Sequence, residues 1–257
     1  MDAQRRFSSV DRAYGSSVTG RLSGAHVAVV GLGGVGSWAA EALARSGVGV
    51  LTLIDLDHIA ESNINRQVHA MSSSLGQAKV QAMSARIHGI NPDCVVHEVE
   101  DFVEPANVSR LLPESAEVVL DCTDQLSAKV AMVLCARERR QSILVCGAAG
   151  GKTDGLSLEQ GDLRDSTHDA LLARLRATLR KQHGFAASSK NKRARPLGVP
   201  VLWFSQPAHR PLTSREQSTQ SMPLACAGYG SLVTVTAAMG LAAASFALNG
   251  IINATTV

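Results

Sequence analysis

The chain reads as an α/β protein: a doubly wound, mainly parallel sheet with helices on both faces, followed by an irregular, basic C-terminal third. Three observations predict this. Apolar runs of strand length alternate with helical segments from His26 to Cys146, the pattern of successive βαβ units. The first run, Val27-Ala-Val-Val30, passes straight into Gly31-Leu-Gly-Gly-Val-Gly36 and then into helix-forming residues. That is the order strand, tight turn, helix. Polar residues then collect just past the strand ends, where open α/β sheets bind ligands.

Each element follows from local pattern. Residues 1–24 are polar, with Arg5, Arg6, Arg12 and Arg21, and read as a short amphipathic lead-in. Strand one spans 26–30. The first helix covers about 34–46, with Val35, Ala39 and Leu43 at helical spacing. Strand two, 48–54, ends at Asp55. A polar loop without helical period runs through 61–67; it is longer than a simple crossover needs, and such loops are where function collects. A helix from about 77 to 90 is closed by Asn91-Pro92. Strand three is 94–99, a short helix lies near 105–112, and strand four, 117–120, ends in Asp121-Cys-Thr-Asp124. A helix covers about 125–140, and strand five, 142–146, ends in Gly147-Ala-Ala-Gly-Gly151.

Beyond 151 the rhythm changes. Residues 156–163 read as another strand and 169–182 as a helix. One side of that helix carries Leu171, Leu172, Leu175 and Leu179; the other carries Arg174, Arg176, Arg180 and Lys181. Residues 184–223 read as irregular, with Lys190, Lys192, Arg193 and Arg195 among them. The stretch 224–252 has no charged residue and is long enough to span a bilayer. Gly228, Gly230, Gly240 and Gly250 interrupt it, so a short strand and a buried helix is the better reading; peripheral membrane contact stays open. The chain is read as one domain, 1–257, with a nucleotide-binding core at about 25–151 and a basic and apolar segment at 152–257.

Composition narrows the class. With 257 residues, 45% apolar and 18% charged, the chain has enough apolar side chains for a large core and is not disordered. The five cysteines include no CxxC pair, which argues against a cysteine-ligated zinc site and for buried thiols in a reducing compartment. Met1-Asp-Ala-Gln-Arg-Arg-Phe7 is no signal peptide. A cytoplasmic location is expected.

The glycines let the backbone turn sharply, and the helix behind them offers free N–H groups and a positive dipole end to a phosphate. Asp55 lies nineteen residues past Gly36, placed to accept hydrogen bonds from a ribose hydroxyl. A plain dinucleotide site needs no more. Here Asn63, Arg66 and Gln67 follow closely, Lys79 lies thirteen residues after Arg66, and Asp124 closes strand four. Two cations suit a triphosphate, and one carboxylate suits Mg²⁺, which takes few protein ligands. These are parts for phosphoryl or nucleotidyl chemistry, and hydride transfer needs none of them. An NAD-dependent oxidoreductase is what the glycine motif alone would allow.

Taken in order, Gly31-Leu-Gly-Gly-Val-Gly36, Leu53-Ile-Asp-Leu-Asp57, Ser62-Asn-Ile-Asn-Arg-Gln67, Gly76-Gln-Ala-Lys79 and Asp121-Cys-Thr-Asp124 resemble the motifs of the ubiquitin-activating-type adenylating enzymes, the family of the ThiF and MoeB proteins. The resemblance implies a Rossmann-like domain that binds ATP and Mg²⁺. Gly31, Gly33, Gly34 and Gly36 would meet the nucleotide, Asp55 the ribose with Asp57 beside it, Asn63, Arg66, Gln67 and Lys79 the phosphates, and Asp124 the magnesium. Arg66, Lys79 and Asp124 would carry the chemistry. The family is homodimeric, and Arg12 matches an arginine that reaches across the dimer.

Relatives that activate sulfur carriers have two CxxC pairs; this chain has neither. Its Gly33–Arg45 segment, Asn65-Arg-Gln-Val-His69, Gly147-Ala-Ala-Gly-Gly-Lys152 and Ser189-Lys-Asn-Lys192 resemble instead a branch of the family acting on tRNA. That branch adenylates the threonyl carboxylate of threonylcarbamoyladenosine next to the anticodon; ring closure expels AMP, an ATP-driven dehydration. Arg174, Arg176, Arg180, Lys181, Lys190, Lys192, Arg193 and Arg195 would then meet tRNA phosphates by releasing counterions. The competing readings are adenylation of the C-terminal carboxylate of a ubiquitin-like sulfur-carrier protein, and a non-enzymatic scaffold. A sulfur-relay protein partner stays open. His58 and His69 read as bystanders, Cys226 as an inert thiol, Lys152 as lining the substrate mouth, and Trp203 and Phe204 as core rather than base-stacking residues.

Overall fold

The computed structural model describes residues 3–15, 17–185, 196–209 and 229–254. Helices α1 (Ala3–Tyr14) and α2 (Val18–Ser23) lead into a seven-stranded sheet. Its strands are β1 (His26–Val30), β2 (Val50–Ile54), β3 (Val95–Val99), β4 (Val118–Asp121), β5 (Ser142–Cys146), β6 (Leu158–Asp162) and β7 (Pro200–Phe204). The spatial order is β3-β2-β1-β4-β5-β7-β6. Every neighbouring pair is parallel except β6 with β7. The chain moves outward from β1 to β3 and then returns to lay β4 on the other side of β1. The crevice between β1 and β4 is therefore the switch point of the sheet, where such folds bind their ligands.

Remaining helices are α3 (Gly36–Arg45), α4 (Lys79–Ile90), α5 (Val108–Leu111), α6 (Leu126–Arg139), α7 (Ala170–Gln182) and α8 (Val233–Asn253). The two-residue period of β1 divides them. Val27 and Val29 pack with Leu43, Met83 and Met239, from α3, α4 and α8. Ala28 and Val30 face the other way and pack with Met132 and Leu175, from α6 and α7. Both faces of the central strands are covered, as an unbroken apolar run demands.

Two elements differ from the sequence reading. Strand β7 lies inside the stretch expected to be irregular. Its signal, Val201-Leu-Trp-Phe204, is short and follows Pro200, yet a proline at the first strand residue loses no essential ladder bond. Trp203 and Phe204 are 3% and 0% exposed, so both are core. No strand precedes α8 in 229–232; residues 224–228, with Cys226, lie outside the described residues.

Helix α8 is long and apolar enough to cross a membrane by composition, yet half of its most apolar window is buried. It lies on α3 at backbone distance: a Cβ on Gly240 would sit 2.4 Å from the Val35 carbonyl oxygen. Only glycine permits that approach.

Candidate nucleotide site

The turn after β1 is built by close backbone contacts. Gly31 has φ +85° and donates its N–H to the Ile54 carbonyl at 2.8 Å. A Cβ there would meet the Cys122 carbonyl at 3.0 Å, so the ends of β1 and β4 touch main chain to main chain. Gly36 is pressed against Gly31, with 1.9 Å from a built Cβ to the Gly31 oxygen. Helix α3 starts at Gly36 with no side-chain cap among the described residues. Its first N–H groups and dipole suit an anion. The two middle glycines part company. Nothing among the described residues comes within 4 Å of a Cβ built on Gly33, which is open toward a ligand. Gly34 instead receives Thr236 at 2.9 Å and Arg66 Cγ at 3.2 Å. It is the seat of Arg66 rather than an open surface.

Asp55 sits just past β2 and is 8% exposed. Its carboxylate accepts the Leu32 N–H at 2.6 Å and the Asp57 N–H at 2.8 Å. Burial pushes its carboxyl up from the usual carboxylate range, opposed by Lys79 and by these N–H donors. Each oxygen keeps a further lone pair for a ribose hydroxyl. Lys79 opens α4 and is 5% exposed; its Nζ lies 2.7 Å from Asp57 Oδ2 and 3.8 Å from Asp55 Oδ1. The exposed Asp57 thus pairs with the buried ammonium.

The loop after β2 is pinned at several points. Asn63 Oδ1 accepts the Ala60 N–H at 3.1 Å. Arg66 Nη1 donates to the Ser62 carbonyl at 2.7 Å and to Asn65 Oδ1 at 3.0 Å. Trp38 Nε1 donates to the Arg66 carbonyl at 3.0 Å, and Asn65 Nδ2 to the Ser231 carbonyl at 2.8 Å. Gln67 and His69 are 4% and 2% exposed. Gln67 Oε1 and both His69 ring nitrogens have no hydrogen-bond partner among the described residues.

On the far side of the glycine turn lies the end of β4. Asp121 Oδ1 accepts the Thr123 N–H at 3.1 Å and the Thr123 hydroxyl at 2.7 Å, which fixes the turn carrying Asp124. Lys129 Nζ sits 3.0 Å from Asp121 Oδ1 and donates to the Cys146 carbonyl at 2.8 Å, with both side chains 0% exposed. Asp124 is exposed at the end of this turn. Among the described residues no three His, Cys, Asp or Glu side chains gather to hold a metal. A metal ion here would rest on Asp124 and on phosphate oxygens, as magnesium commonly does. The Sγ contact with Cys146 and burial push the Cys122 thiol well up, so the site offers no thiolate.

Glycine turn, Asp55, Lys79, the Asn63–Gln67 loop and Asp124 therefore share one sheet edge. Arg12 does not join them. Phe7 packs on Gly47, and Arg6 donates to the Ile90 carbonyl at 2.7 Å, so α1 is anchored at the opposite edge. On α7, Arg174 and Lys181 are exposed. Arg176 is engaged: its Nη1 donates to the Leu163 and Ser166 carbonyls and to the Ser166 hydroxyl, at 2.9–3.1 Å. Lys190, Lys192, Arg193 and Arg195 lie outside the described residues. Lys152 is 2% exposed and donates to the carbonyls of His168 and Gln206. It is a structural lysine, which corrects its placement at the substrate mouth. The sequence reading missed Trp38 and Lys129. Lys129 had a signal, a charge on the buried 129-132-133-136 stripe of α6.

A profile of the ThiF family matches residues 5–256. The tRNA threonylcarbamoyladenosine dehydratase of Haemophilus influenzae is 37% identical over 242 residues, covering 94% of this chain and 91% of that protein. Its Escherichia coli K12 counterpart is 38% identical over 252 residues, covering 95% and 92%. The crystal structure of E. coli tRNA N6-threonylcarbamoyladenosine dehydratase, TcdA, in complex with ATP superposes with a TM-score of 0.88 at 36% identity, covering 100% of this chain and 98% of that one.

Proposed function

The chain belongs to the ThiF family, and on that premise we propose that it is an ATP-dependent enzyme that cyclises threonylcarbamoyladenosine in tRNA. The supporting observation is one edge of the sheet: a glycine turn flanked by Arg66 on one side and by the Asp121–Asp124 turn on the other. Relatives alike over nearly their whole length carry the dehydratase name, and the E. coli one is seen with ATP. That favours tRNA over a sulfur-carrier protein as substrate.

Each group has a task in this reading. The uncapped start of α3 and the open side of Gly33 receive phosphate oxygens. Asp55 accepts from the ribose. Asn63, Arg66, Gln67 and Lys79 hold the phosphates and neutralise charge that builds as the threonyl carboxylate attacks the α-phosphorus. Asp124 holds Mg²⁺, which supplies Lewis-acid stabilisation of the leaving pyrophosphate when bound. Ring closure within the substrate expels AMP, so no enzyme nucleophile is required. The exposed Arg174 and Lys181 of α7, with the basic residues that follow, contact tRNA phosphates. Two copies pair so that Arg12 serves the partner's site; its distance from the turn in its own chain is what a role across the dimer needs.

AMP release from ATP and Mg²⁺, with and without tRNA carrying threonylcarbamoyladenosine, tests the proposal. AMP is expected only with that tRNA, together with a nucleoside lighter by one water, and Asp124→Ala should abolish both. AMP formed instead with a small carrier protein ending in Gly-Gly would overturn it.

A further inference from the structure

Trp38 stands on the first turn of α3, half-buried, and its indole N–H is aimed at the Arg66 carbonyl, 3.0 Å away. Its neighbour Ser37 accepts the Val68 N–H through Oγ at 3.3 Å. The main chain from the Arg66 carbonyl to Val68 is thus hung from the first turn of α3. The Arg66 stem is placed by Gly34, through the 3.2 Å approach of Cγ to a built Cβ. Helix α8 comes close to the base of this side chain: a Cβ on Gly240 would lie only 2.8 Å from Trp38 Cβ.

We propose that Trp38 is a positioning residue for Arg66: its indole N–H fixes the Arg66 main chain, and with it the place where the guanidinium meets the nucleotide phosphates. This rests on the reading of Arg66 as a phosphate ligand. Among the described residues the Arg66 guanidinium is otherwise bonded through Nη1 to its own loop, at Ser62 and Asn65. The indole bond, with the Ser37–Val68 bond beside it, is what refers that loop to the helix behind the glycine turn. Trp38 touches no substrate; it acts through Arg66.

The test is Trp38→Phe, which keeps an aromatic ring and deletes the donor. Equilibrium binding of ATP with Mg²⁺, steady-state kinetics and melting are compared for wild type, Trp38→Phe, Arg66→Gln and the double variant. Loss of one neutral hydrogen bond corresponds to about a fivefold change. ATP Kd and KM should rise about fivefold in Trp38→Phe and kcat/KM should fall at least as far, with the melting temperature nearly unmoved. In the Arg66→Gln background the same substitution should change ATP affinity by less than about 1.5-fold, since the two act through one contact. An unchanged Kd, or an equal effect in both backgrounds, overturns the proposal while leaving Arg66 a phosphate ligand. Arg66→Gln binding ATP like wild type would remove that reading and the proposal together. Should Trp38→Phe not fold, emission decides: in a Trp203→Phe background, ATP should alter Trp38 fluorescence, and Arg66→Gln should abolish the change. No ATP-dependent change overturns the proposal.

Discussion

Replacing Lys129 with methionine removes one half of a fully buried ion pair and leaves the other half stranded. Asp121 and Lys129 are each 0% exposed and 3.0 Å apart. At that separation and an effective dielectric of about 20, their attraction is about 5 kcal/mol. Asp121 Oδ1 would keep its two Thr123 donors, but Oδ2 has no partner among the described residues to share the charge. Breaking a buried pair from one side costs about 3–5 kcal/mol. For a chain of this size about 2–4 °C of melting temperature goes with each kcal/mol, so Lys129→Met should melt about 10 °C lower. The double variant Asp121→Asn/Lys129→Met should recover most of that, because an uncharged pair of similar volume carries no stranded ion and the asparagine oxygen still accepts from Thr123. Melting followed by circular dichroism, with urea titration at 25 °C, measures both. A single variant within 2 °C of wild type, or a double variant as unstable as the single, would refute the reasoning.

Two further outcomes are expected. Burial, with Lys79 and Arg86 nearby, holds the His69 imidazole down at about 4. The unfolded chain therefore binds a proton that the folded chain refuses between about pH 6.5 and 4. Stability is full above that window and falls by about 3 kcal/mol as pH drops through it; His69→Gln should flatten this part of the urea midpoint against pH, and an unchanged slope would count against it. Asp162 accepts the N–H groups of Arg164, Leu197, Gly198 and Val199 at 2.7–3.3 Å. Asp162→Ala should lose about 2 kcal/mol and speed proteolysis in 196–199, with Asp162→Asn losing less.

What was legible in the sequence was whatever local pattern determines. Val27 to Val30 running into glycines gave β1, the turn and α3, and the turn gave the switch point once β4 returned beside β1. The charges that gather at that edge were legible because Arg66, Lys79 and Asp124 stand in polar loops or at helix starts, where a charge stands out from an apolar pattern. Partners chosen by tertiary approach were not. Nothing in the spacing of Gly34 says that it seats Arg66, and nothing in Asp57 says that it pairs with Lys79 across twenty-two residues. Arg176 looked like its neighbours on α7 and is spent on the Leu163–Ser166 carbonyls. Strand β7 hid behind Pro200 and a basic flank, because a short apolar run is a strand only if a sheet edge waits for it.

The C-terminal helix shows most clearly how far the site extends beyond its motifs. By composition α8 is an apolar stretch of membrane length. In place it backs the glycine turn. Thr236 closes on Gly34, Gly240 lets α3 approach, and the Ser231 carbonyl just ahead of the helix takes the Asn65 amide. These contacts meet Trp38 and the Arg66 loop from the α8 side. The small residues on its buried face follow from this position, since a helix face pressed against α3 at backbone distance has room for Gly, Ala and Thr and none for charge. Packing of the last helix and presentation of Arg66 are therefore one structural problem. The glycine turn near the start of the sheet and the last helix pack as one unit.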